Sequence, residues 1–300
     1  MNYAPILLFT YKKLEPLKQT IAALQNNFLA TDTELFIFSD GPKNENDKPL
    51  IDEVRHYLDT IEGFKRISIS TSEDNKGLAN SIIDGVTLKL QEYEKIIVLE
   101  DDLITSKNFL LYMNQALSFY ENNLKIYSIS GYSIPIKIPI NYTFHSYFLP
   151  RASSWGWGTW RNRWENIDWD VNDFKTFKFN KQDVSYFNNG GSDMFIMLKK
   201  QIEGKLDSWA IRWCYHQFKM NAYSVYPTIS KVNNIGFSKM ATNTNVYNRY
   251  KTPLDNGKIE SFCFNSNAEL DFYFVNQLRK FFSIRSRALG KLKTYYFKYF

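Results

Sequence analysis

Cysteine is scarce in this chain, and long apolar runs are missing. Only Cys214 and Cys263 occur among 300 residues and no CxxC pair is present, so we expect free thiols rather than a disulfide framework. No apolar run approaches the roughly 18 residues that a membrane-spanning helix needs. The start MNYAPILLFTYKK lacks the basic region and the long apolar stretch of a signal peptide. We therefore expect a cytoplasmic protein.

Two nucleotide-binding motifs are also absent. The sequence contains no GxxxxGK followed by Ser or Thr, and no GxGxxG follows the first predicted strand. Such glycine-rich loops let backbone amides approach phosphate groups in P-loop and dinucleotide-binding proteins. Both of these protein classes are therefore excluded.

Basic residues are concentrated at one end of the chain. The net charge is +6, but seven Lys and Arg residues and no acid lie between positions 276 and 300. This tail also carries aromatic residues, a mixture typical of segments that bind anionic membrane surfaces. We predict a peripheral contact of the tail with the inner membrane face; an ordinary helix packed on the domain is the alternative. No nucleic-acid-binding motif accompanies the basic residues, so we expect no nucleic-acid partner.

The first hundred residues alternate between strand-like and helix-like patterns. Four strands are predicted, in PILLFTY, TELFIFSDG, FKRISISTSE and KIIVLE, and helical patterns lie between them. This alternation predicts an α/β fold with a mostly parallel sheet flanked by helices. We expect residues 103–125 to continue as a helix and residues 207–221 to form another.

Beyond residue 126 the pattern changes to short strands and aromatic-rich loops. We therefore predict one mixed domain with two halves, 1–125 and a smaller mixed half at 126–250. Residues 251–300 would form a connector and the basic amphipathic C-terminal tail. Open α/β sheets bind ligands beyond the carboxyl ends of their strands, so residues at those ends are the candidate site.

The strand KIIVLE runs directly into three carboxylates, Glu100, Asp101 and Asp102. Mutual repulsion raises the pKa values of adjacent acids unless a cation binds. Oxygen ligands suit Mg²⁺ or Mn²⁺, which takes one or two carboxylates and completes its shell with substrate phosphates and water. Because side chains alternate along a strand, we expect one or two of these acids to bind the metal and another to bind a sugar or ribose. The alternative is a solvated turn whose acid caps the next helix.

The segment RASSWGWGTW is rich in indole and glycine. An indole face can stack on the apolar face of a sugar, and glycine lets the backbone approach a ligand. We predict that four adjacent residues form an acceptor or sugar pocket: Trp155, Gly156, Trp157 and Gly158. Trp160 and Trp164 are assigned to the core instead.

Five segments, in this order and spacing, resemble the GT-A glycosyltransferases: APILLFTYKK, FSDG, NKGLANS, VLEDDL and SWGWG. The nearest match is the N-acetylglucosaminyltransferase I type, and the likeness covers residues 4–245. It implies a Rossmann-like GT-A fold and transfer of a hexose or N-acetylhexosamine from a UDP-linked donor to a hydroxyl of a glycan or lipid-linked glycan. It also implies an inverting reaction that depends on Mn²⁺ or Mg²⁺.

The resemblance further implies roles for individual residues. Asp102 would hold the metal, Asp101 the ribose or sugar, and Asp40 the uracil base. Lys13 matches a basic donor-binding residue, and Asn80 stands where the family has a donor-contacting histidine. The predicted donor-binding set is Thr10, Tyr11, Lys13, Asp40, Lys76, Asn80, Glu100 and Asp101.

Other segments admit more than one interpretation. Either Lys76 and the amides after Gly77 approach the diphosphate, or NKGLANS simply begins a helix. Ser238 and Asn243 lie where related enzymes close a loop over the donor, and His216 is a further metal or acceptor candidate.

The catalytic base of the family is an acid just before a tryptophan. The segment KLDSWAIRW places Asp207 two residues before Trp209, and Glu203 is the other acid nearby. We predict that Asp207 removes the proton of the acceptor hydroxyl as it attacks the sugar carbon. The alternative is that Asp207 only orients the acceptor. The metal would neutralise charge on the leaving diphosphate.

Two other functions stay open. A nucleotidylyltransferase shares the sheet and an acid-bound metal, but it should carry a glycine- and basic-rich loop after the first strand, and FTYKKLEPL has no glycine. A non-catalytic subunit that binds a sugar nucleotide would retain the fold without turnover.

Overall fold

The computed structural model of the chain describes residues 3–237 and 247–299. The strands in these ranges are β1 (Ile6–Thr10), β2 (Glu34–Ser39), β3 (Arg66–Thr71), β4 (Lys95–Glu100), β5 (Leu103–Thr105), β6 (Ile126–Ser130), β7 (Ser146–Leu149), β8 (Trp157–Trp160), β9 (Tyr223–Pro227) and β10 (Val232–Asn234). The helices are α1 (Leu14–Gln25), α2 (Lys48–Leu58), α3 (Leu78–Glu92), α4 (Phe109–Phe119), α5 (Arg161–Trp164), α6 (Phe174–Phe177), α7 (Lys181–Phe187), α8 (Met194–Ile202), α9 (Trp209–Lys219), α10 (Phe272–Phe281) and α11 (Ile284–Tyr299).

Eight strands form one sheet in the order β3-β2-β1-β4-β8-β6-β9-β7. The first four are mutually parallel, β8 runs antiparallel to both of its neighbours, and β9 is parallel to β6. The edge strand β7 is antiparallel to β9, and β10 pairs with β5 in a separate small antiparallel sheet. The predicted α/β class, with a mostly parallel sheet flanked by helices, is confirmed.

Strand β1 lies inside the sheet and is apolar on both faces. Ile6 and Leu8 belong to a core cluster with residues of α1, α2 and α4. Leu7 and Phe9 point the other way, into a cluster with residues of α3, α8 and α9. Helices therefore cover both faces, which explains why the strand is a continuous apolar run rather than an alternating one.

We had expected residues 103–125 to form one helix, and the structure shows that this prediction is wrong. Residues Leu103–Thr105 form β5, and α4 begins only at Phe109. In the small sheet Leu103 pairs with Asn234 and Thr105 with Val232, across a long stretch of chain. This long-range pairing overrides the local helical pattern.

The predicted sugar pocket at Trp157 is wrong, because its indole belongs to the core. Trp157 is 1% exposed. Its ring stacks on Trp164 and on Trp209, with centroid separations of 5.6 and 4.7 Å. Trp160 and Trp164 are also buried, as the sequence suggested.

The neighbouring glycines are likewise explained by packing. An added Cβ at Gly158 would lie 2.9 Å from the carbonyl oxygen of Ile96 in the paired strand β4. Gly156 has φ +60°, and an added Cβ there would lie 2.8 Å from a methyl group of Val232. The pocket assignment is therefore corrected for Gly156 and Gly158 too, since both are needed for close approach of protein groups.

The basic tail forms two helices with different surroundings. Phe274, Leu278 and Phe282, in and just after α10, are buried in a cluster with Tyr147 and Tyr226 of the sheet. In contrast, α11 leaves the apolar side chains of Leu289 and Leu292 exposed. Helix α10 packs on the domain at the edge of the sheet, as our alternative interpretation of the tail held, and the membrane contact of the tail stays a prediction. No helix in the described part of the chain combines the length and apolar character that crossing a membrane requires.

We expect Gly158→Ala to lower the free energy of unfolding by about 2 kcal/mol, because the new methyl group would push β8 away from β4. Urea denaturation followed by circular dichroism measures the change. Gly290→Ala in α11 is the matched control, because the nearest atom to its added Cβ lies at 3.4 Å and alanine favours a helix. Stability of the control should stay equal or rise. Unchanged stability of Gly158→Ala would contradict the close packing of β8 on β4.

Candidate active site

Three neighbouring strands, β2, β1 and β4, end at the same edge of the sheet. In the register of these parallel strands, Thr10 pairs with Ser39 and Phe9 pairs with Glu100. The residues that follow the three strands are therefore brought together at one edge. This group contains most of the predicted donor-binding residues: Thr10, Tyr11, Lys13, Asp40, Glu100 and Asp101.

Asp101 is held against the end of β1. The Thr10 hydroxyl donates to Asp101 Oδ2 at 2.8 Å, and the Tyr11 amide donates to the same oxygen at 3.2 Å. The Thr20 hydroxyl of α1 donates to the backbone carbonyl of Asp101 at 2.9 Å and accepts from the Leu103 amide. Three predicted residues are thus brought into direct contact, and Thr20, which we had not predicted, fixes the turn from behind.

Asp102 faces the small sheet. The side-chain amide of Asn234 donates to Asp102 Oδ1 at 3.2 Å, and the Ile235 amide donates to the Asp102 carbonyl at 2.9 Å. An added Cβ at Gly236 would collide with Asp102 Oδ2, so the backbone approaches this carboxylate closely. Sequence reasoning missed Asn234, because its position depends on the pairing of β10 with β5.

The acidic turn has little positive charge to balance it. Burial, together with the charges of Asp102 and Asp101, raises the pKa of Glu100 to about 8. Burial and the charge of Asp102 raise the pKa of Asp101 to about 6, and burial also raises the pKa of Asp102. Lys13 opposes the rise in pKa at all three acids, which places its ammonium group within electrostatic reach of the turn.

The acids fit a hard cation only if a ligand completes its shell. In residues 3–237 and 247–299, no three His, Cys, Asp or Glu side chains are arranged to hold a metal ion by themselves. Magnesium-like ions commonly use one or two carboxylates plus phosphate oxygens and water. The raised pKa values of Glu100 and Asp102 indicate carboxylates that a cation would stabilise in their charged form. These side chains therefore fit an ion shared with a bound diphosphate.

Asp40 organises the turn before α3. Its Oδ1 accepts hydrogen bonds from the amides of Gly41 and Lys76, both at 2.9 Å. Its Oδ2 accepts from the Asn75 side chain at 3.1 Å and from the Gly77 amide at 3.0 Å. A nucleobase at Asp40 would have to share these oxygens with four protein donors.

The segment NKGLANS begins α3, as one of our two interpretations held. Gly77 is the residue before the first turn, and its φ of +75° lies in the left-handed region. The Lys76 ammonium lies 3.1 Å from Asp84 Oδ2 along the helix, and Asn80 donates to the Lys76 carbonyl at 3.0 Å. Both side chains are exposed, and their predicted contacts with a donor stay predictions.

Asp207 reaches the same turn from the other half of the chain. An added Cβ at Gly77 would lie 3.6 Å from Asp207 Oδ2. The Asp207 side chain is 62% exposed, and one guanidinium nitrogen of Arg212 lies 3.9 Å from its Oδ1. Glu203, the alternative acid, instead pairs with Lys205 and Lys199. Of these two acids, Asp207 is the one that lies near the turn held by Asp40.

A cavity of about 240 Å³ adjoins the residue after Asp207. Its lining includes Trp155, Tyr132, Ser153, Ser208 and Tyr250. The Trp155 ring makes edge contacts with Tyr132 and Tyr250, with centroid separations of 4.6 and 5.5 Å. Trp155 is therefore the member of the predicted aromatic pocket that does line a cavity.

The remaining candidates lie apart from this group or outside the described ranges. His216 stacks on Trp213, and burial lowers its pKa. Ser238 and Asn243 lie outside the described residues.

Asp47, which we had not predicted, accepts a hydrogen bond from the Tyr11 hydroxyl at 2.7 Å and pairs with Lys12, so it joins the end of β1 to the loop after Asp40. Nothing in that polar loop singles out Asp47 in the sequence.

No family model and no curated protein matches this chain. Its chain path is similar to several solved structures, among them TarS 1–349 of S. aureus, with 8% identity and a TM-score of 0.39 over 77% of this chain and 60% of that one. The mannosyltransferase PcManGT from Pyrobaculum calidifontis, solved with GDP-Man and Mn²⁺, has 10% identity and a TM-score of 0.40 over 73% of this chain and 70% of that one. Mouse xyloside xylosyltransferase 1 has 12% identity and a TM-score of 0.34 over 73% of this chain and 82% of that one.

The similarity to TarS covers only part of that protein. This chain spans 60% of TarS 1–349 and 30% of a longer TarS structure, less than two thirds of either. At these identities and TM-scores, no substrate, metal or residue role passes from the similar structures to this chain. The N-acetylglucosaminyltransferase I type stays a prediction.

The acidic turn predicts a pH dependence of stability in the metal-free protein. The pKa of Glu100, about 8 when folded, lies above the ordinary 4.5, so folding takes up a proton between these pH values. The unfolding free energy should therefore fall as pH rises through this window, by at most about 1.4 kcal/mol per pH unit. Glu100→Gln should remove this contribution, and urea denaturation at pH 6 and pH 8 with a chelator measures it.

The matched control for this experiment is Glu62→Gln, which removes an exposed charge between α2 and β3. This variant should lose as much stability between the two pH values as the unaltered protein. The same pH dependence of stability in Glu100→Gln as in the unaltered protein would contradict the raised pKa of Glu100.

Proposed function

We propose that the protein is a metal-dependent glycosyltransferase of the GT-A type, which moves a sugar from a nucleotide-diphosphate donor to an acceptor hydroxyl. The observation that carries the proposal is the half-buried acidic turn at the ends of adjacent strands, together with Asp207 at the Gly77 turn that Asp40 holds after β2. In this proposal the acids of the turn bind the cation and, through it, the donor diphosphate, whereas the exposed carboxylate of Asp207 acts on the acceptor. The first half of the chain supplies the acidic turn, and the second half supplies Asp207.

The donor would bind across the ends of β1 and β4. Asp102, with Glu100 beside it, would hold Mn²⁺ or Mg²⁺, and the ion would supply positive charge that stabilises a leaving diphosphate. Asp101 uses one carboxylate oxygen for Thr10 and Tyr11, which leaves its other oxygen for a hydroxyl of the ribose or sugar. Lys13 adds positive charge near the same place.

Asp207 is the proposed general base. Its exposed carboxylate can accept the proton of an acceptor hydroxyl, and Arg212 lies close enough to restrict its orientation. The cavity beside Ser208 would receive part of the acceptor, with the Trp155 ring as an apolar surface for a sugar. Attack on the face opposite the diphosphate inverts the anomeric carbon.

Several finer features belong to the same proposal. The donor is a UDP-sugar, and the transferred unit is a hexose or N-acetylhexosamine, as the resemblance implies. The acceptor is a glycan or lipid-linked glycan, and the reaction takes place in the cytoplasm. The exposed Leu289 and Leu292 among the basic residues of α11 support a peripheral contact with the membrane.

Asp207→Asn should lower kcat for sugar transfer by about 10²–10⁴-fold with little change in donor affinity, because only proton removal is lost. Glu203→Gln, which alters the other nearby acid, is the control and should keep its activity. The measurement is release of nucleoside diphosphate and of glycosylated acceptor. Full activity of Asp207→Asn would show that another residue is the base. Pyrophosphate exchange with a nucleoside triphosphate would instead identify a nucleotidylyltransferase.

A thermal-shift experiment tests donor and metal binding together. UDP-sugars with Mn²⁺ should raise Tm, since a ligand at a hundred times its Kd stabilises the folded state by about 2.7 kcal/mol. Asp102→Ala should abolish the shift, whereas Asp59→Ala, at an exposed position after α2, should keep it. A larger shift with GDP-sugars would correct the nucleotide. An equal shift in Asp102→Ala and in the unaltered protein would contradict the metal site.

A further inference from the structure

A basic groove lies between α6–α7 on one side and α10–α11 on the other. Its volume is about 1100 Å³. Five cationic side chains line it, two from the first wall and three from the second: Lys178, Lys181, Arg279, Lys280 and Arg285. We call this feature the basic groove, and neither the candidate active site nor its donor residues are part of it.

Within residues 3–237 and 247–299, the cations of the basic groove have no acidic partner. Fifteen ion pairs are present in the described part of the chain, and none includes any of these five side chains. No acid stands among the twelve described residues that line the groove. Cations facing each other across a concave surface create a positive potential that favours an anionic ligand.

Most of the remaining lining residues are polar. Five neutral side chains offer hydroxyl or amide groups: Ser185, Asn188, Ser192, Asn276 and Ser283. The hydroxyl of Ser192, which lies between α7 and α8, donates to the Phe282 carbonyl at 2.8 Å and accepts from Arg287 at 3.0 Å, so this lining residue is bonded to the α10–α11 wall. The groove therefore offers a ligand both positive charge and hydrogen-bonding groups.

The lining argues against two common partners of basic surfaces. Among the described lining residues the apolar ones are Val184 and Ile284, too few for the apolar face that inserts into a bilayer. None of the described lining residues is aromatic, whereas proteins that bind single-stranded nucleic acid stack bases on aromatic rings. A hydrophilic anionic chain matches this lining better than a membrane or a nucleic acid does.

We propose that the basic groove binds a polyanionic glycan, a chain that carries phosphate or carboxylate groups. A flexible chain lying between the walls can meet cations on both sides, which a flat surface cannot do. Ser192 and Ser283, which line the groove, are close in sequence to Met194 and Phe282, which line the cavity beside Ser208. The groove and this cavity therefore lie near each other; that the bound chain is the acceptor rests on the proposed function.

Direct binding tests the groove independently of catalysis. The full-length protein, without donor or metal, is titrated with fluorescently labelled polyphosphate and with labelled polygalacturonate, and neutral dextran is the control polymer. We expect binding to both anionic polymers, weaker at high ionic strength because exposed charges are screened. Lys178→Gln combined with Arg279→Gln, one residue from each wall, should weaken binding by about tenfold at low salt.

The matched control removes two exposed cations of α11 outside the groove, Lys291→Gln with Lys293→Gln, and should change the affinity less than twofold. Equal losses in the two double variants would show attraction to net charge alone and overturn the proposal. Tighter binding of inorganic phosphate than of either polymer would reassign the groove to a single anion. Binding to phosphatidylserine vesicles that the groove variant loses, without binding to the polymers, would reassign it to the membrane.

Failure of this proposal is distinguishable from failure of the proposed function. If the protein binds the polymers but transfers no sugar, the groove proposal is supported and the enzyme assignment is contradicted. If it transfers sugar to neutral acceptors and binds neither polymer, the enzyme assignment is supported and the groove proposal is contradicted.

Discussion

The concentration of three carboxylates in a partly desolvated turn is the constraint on which this site depends. Burial and mutual repulsion raise the pKa values of Glu100 and Asp101, so the fold keeps these groups together against an electrostatic cost. Hydrogen bonds from Thr10 and Thr20 hold the turn on one side, and Asn234 holds it on the other. A site of this kind is more stable with a bound cation than without one, which links the stability of the fold to ligand binding.

The small sheet is braced by residues far from the acidic turn. Lys231, just before β10, forms a buried ion pair with Asp255. Asp255 also accepts hydrogen bonds from the Asn108 side chain and from the Gly257 amide. The segment after residue 247 therefore supports the strand that carries Asn234. Separating these two groups would leave an uncompensated buried charge, so the ion pair holds Lys231 and Asp255 in fixed positions relative to each other.

Aromatic packing has the corresponding role on the other side of the site. Trp209, in the first turn of α9, stacks on Trp157 of β8. Ser208 caps the same helix by accepting from the Ile211 amide. The Trp157 indole, which we first assigned to a sugar pocket, thus positions the start of α9, and with it Asp207. Its contribution to the site is made through the core.

The sequence by itself determined the α/β class, the strands β1 to β4 and the acids that follow them, because apolar periodicity and strand-end chemistry are local properties. It also predicted a helix at 207–221, which the structure places at Trp209–Lys219, just after Asp207. Only the tertiary structure decided that Asn234 contacts Asp102, that Trp157 lies in the core while Trp155 lines a cavity, and that two walls of cations face each other. Each of these depends on contacts between residues far apart in the chain, and local patterns carry no information about which distant segments will pair.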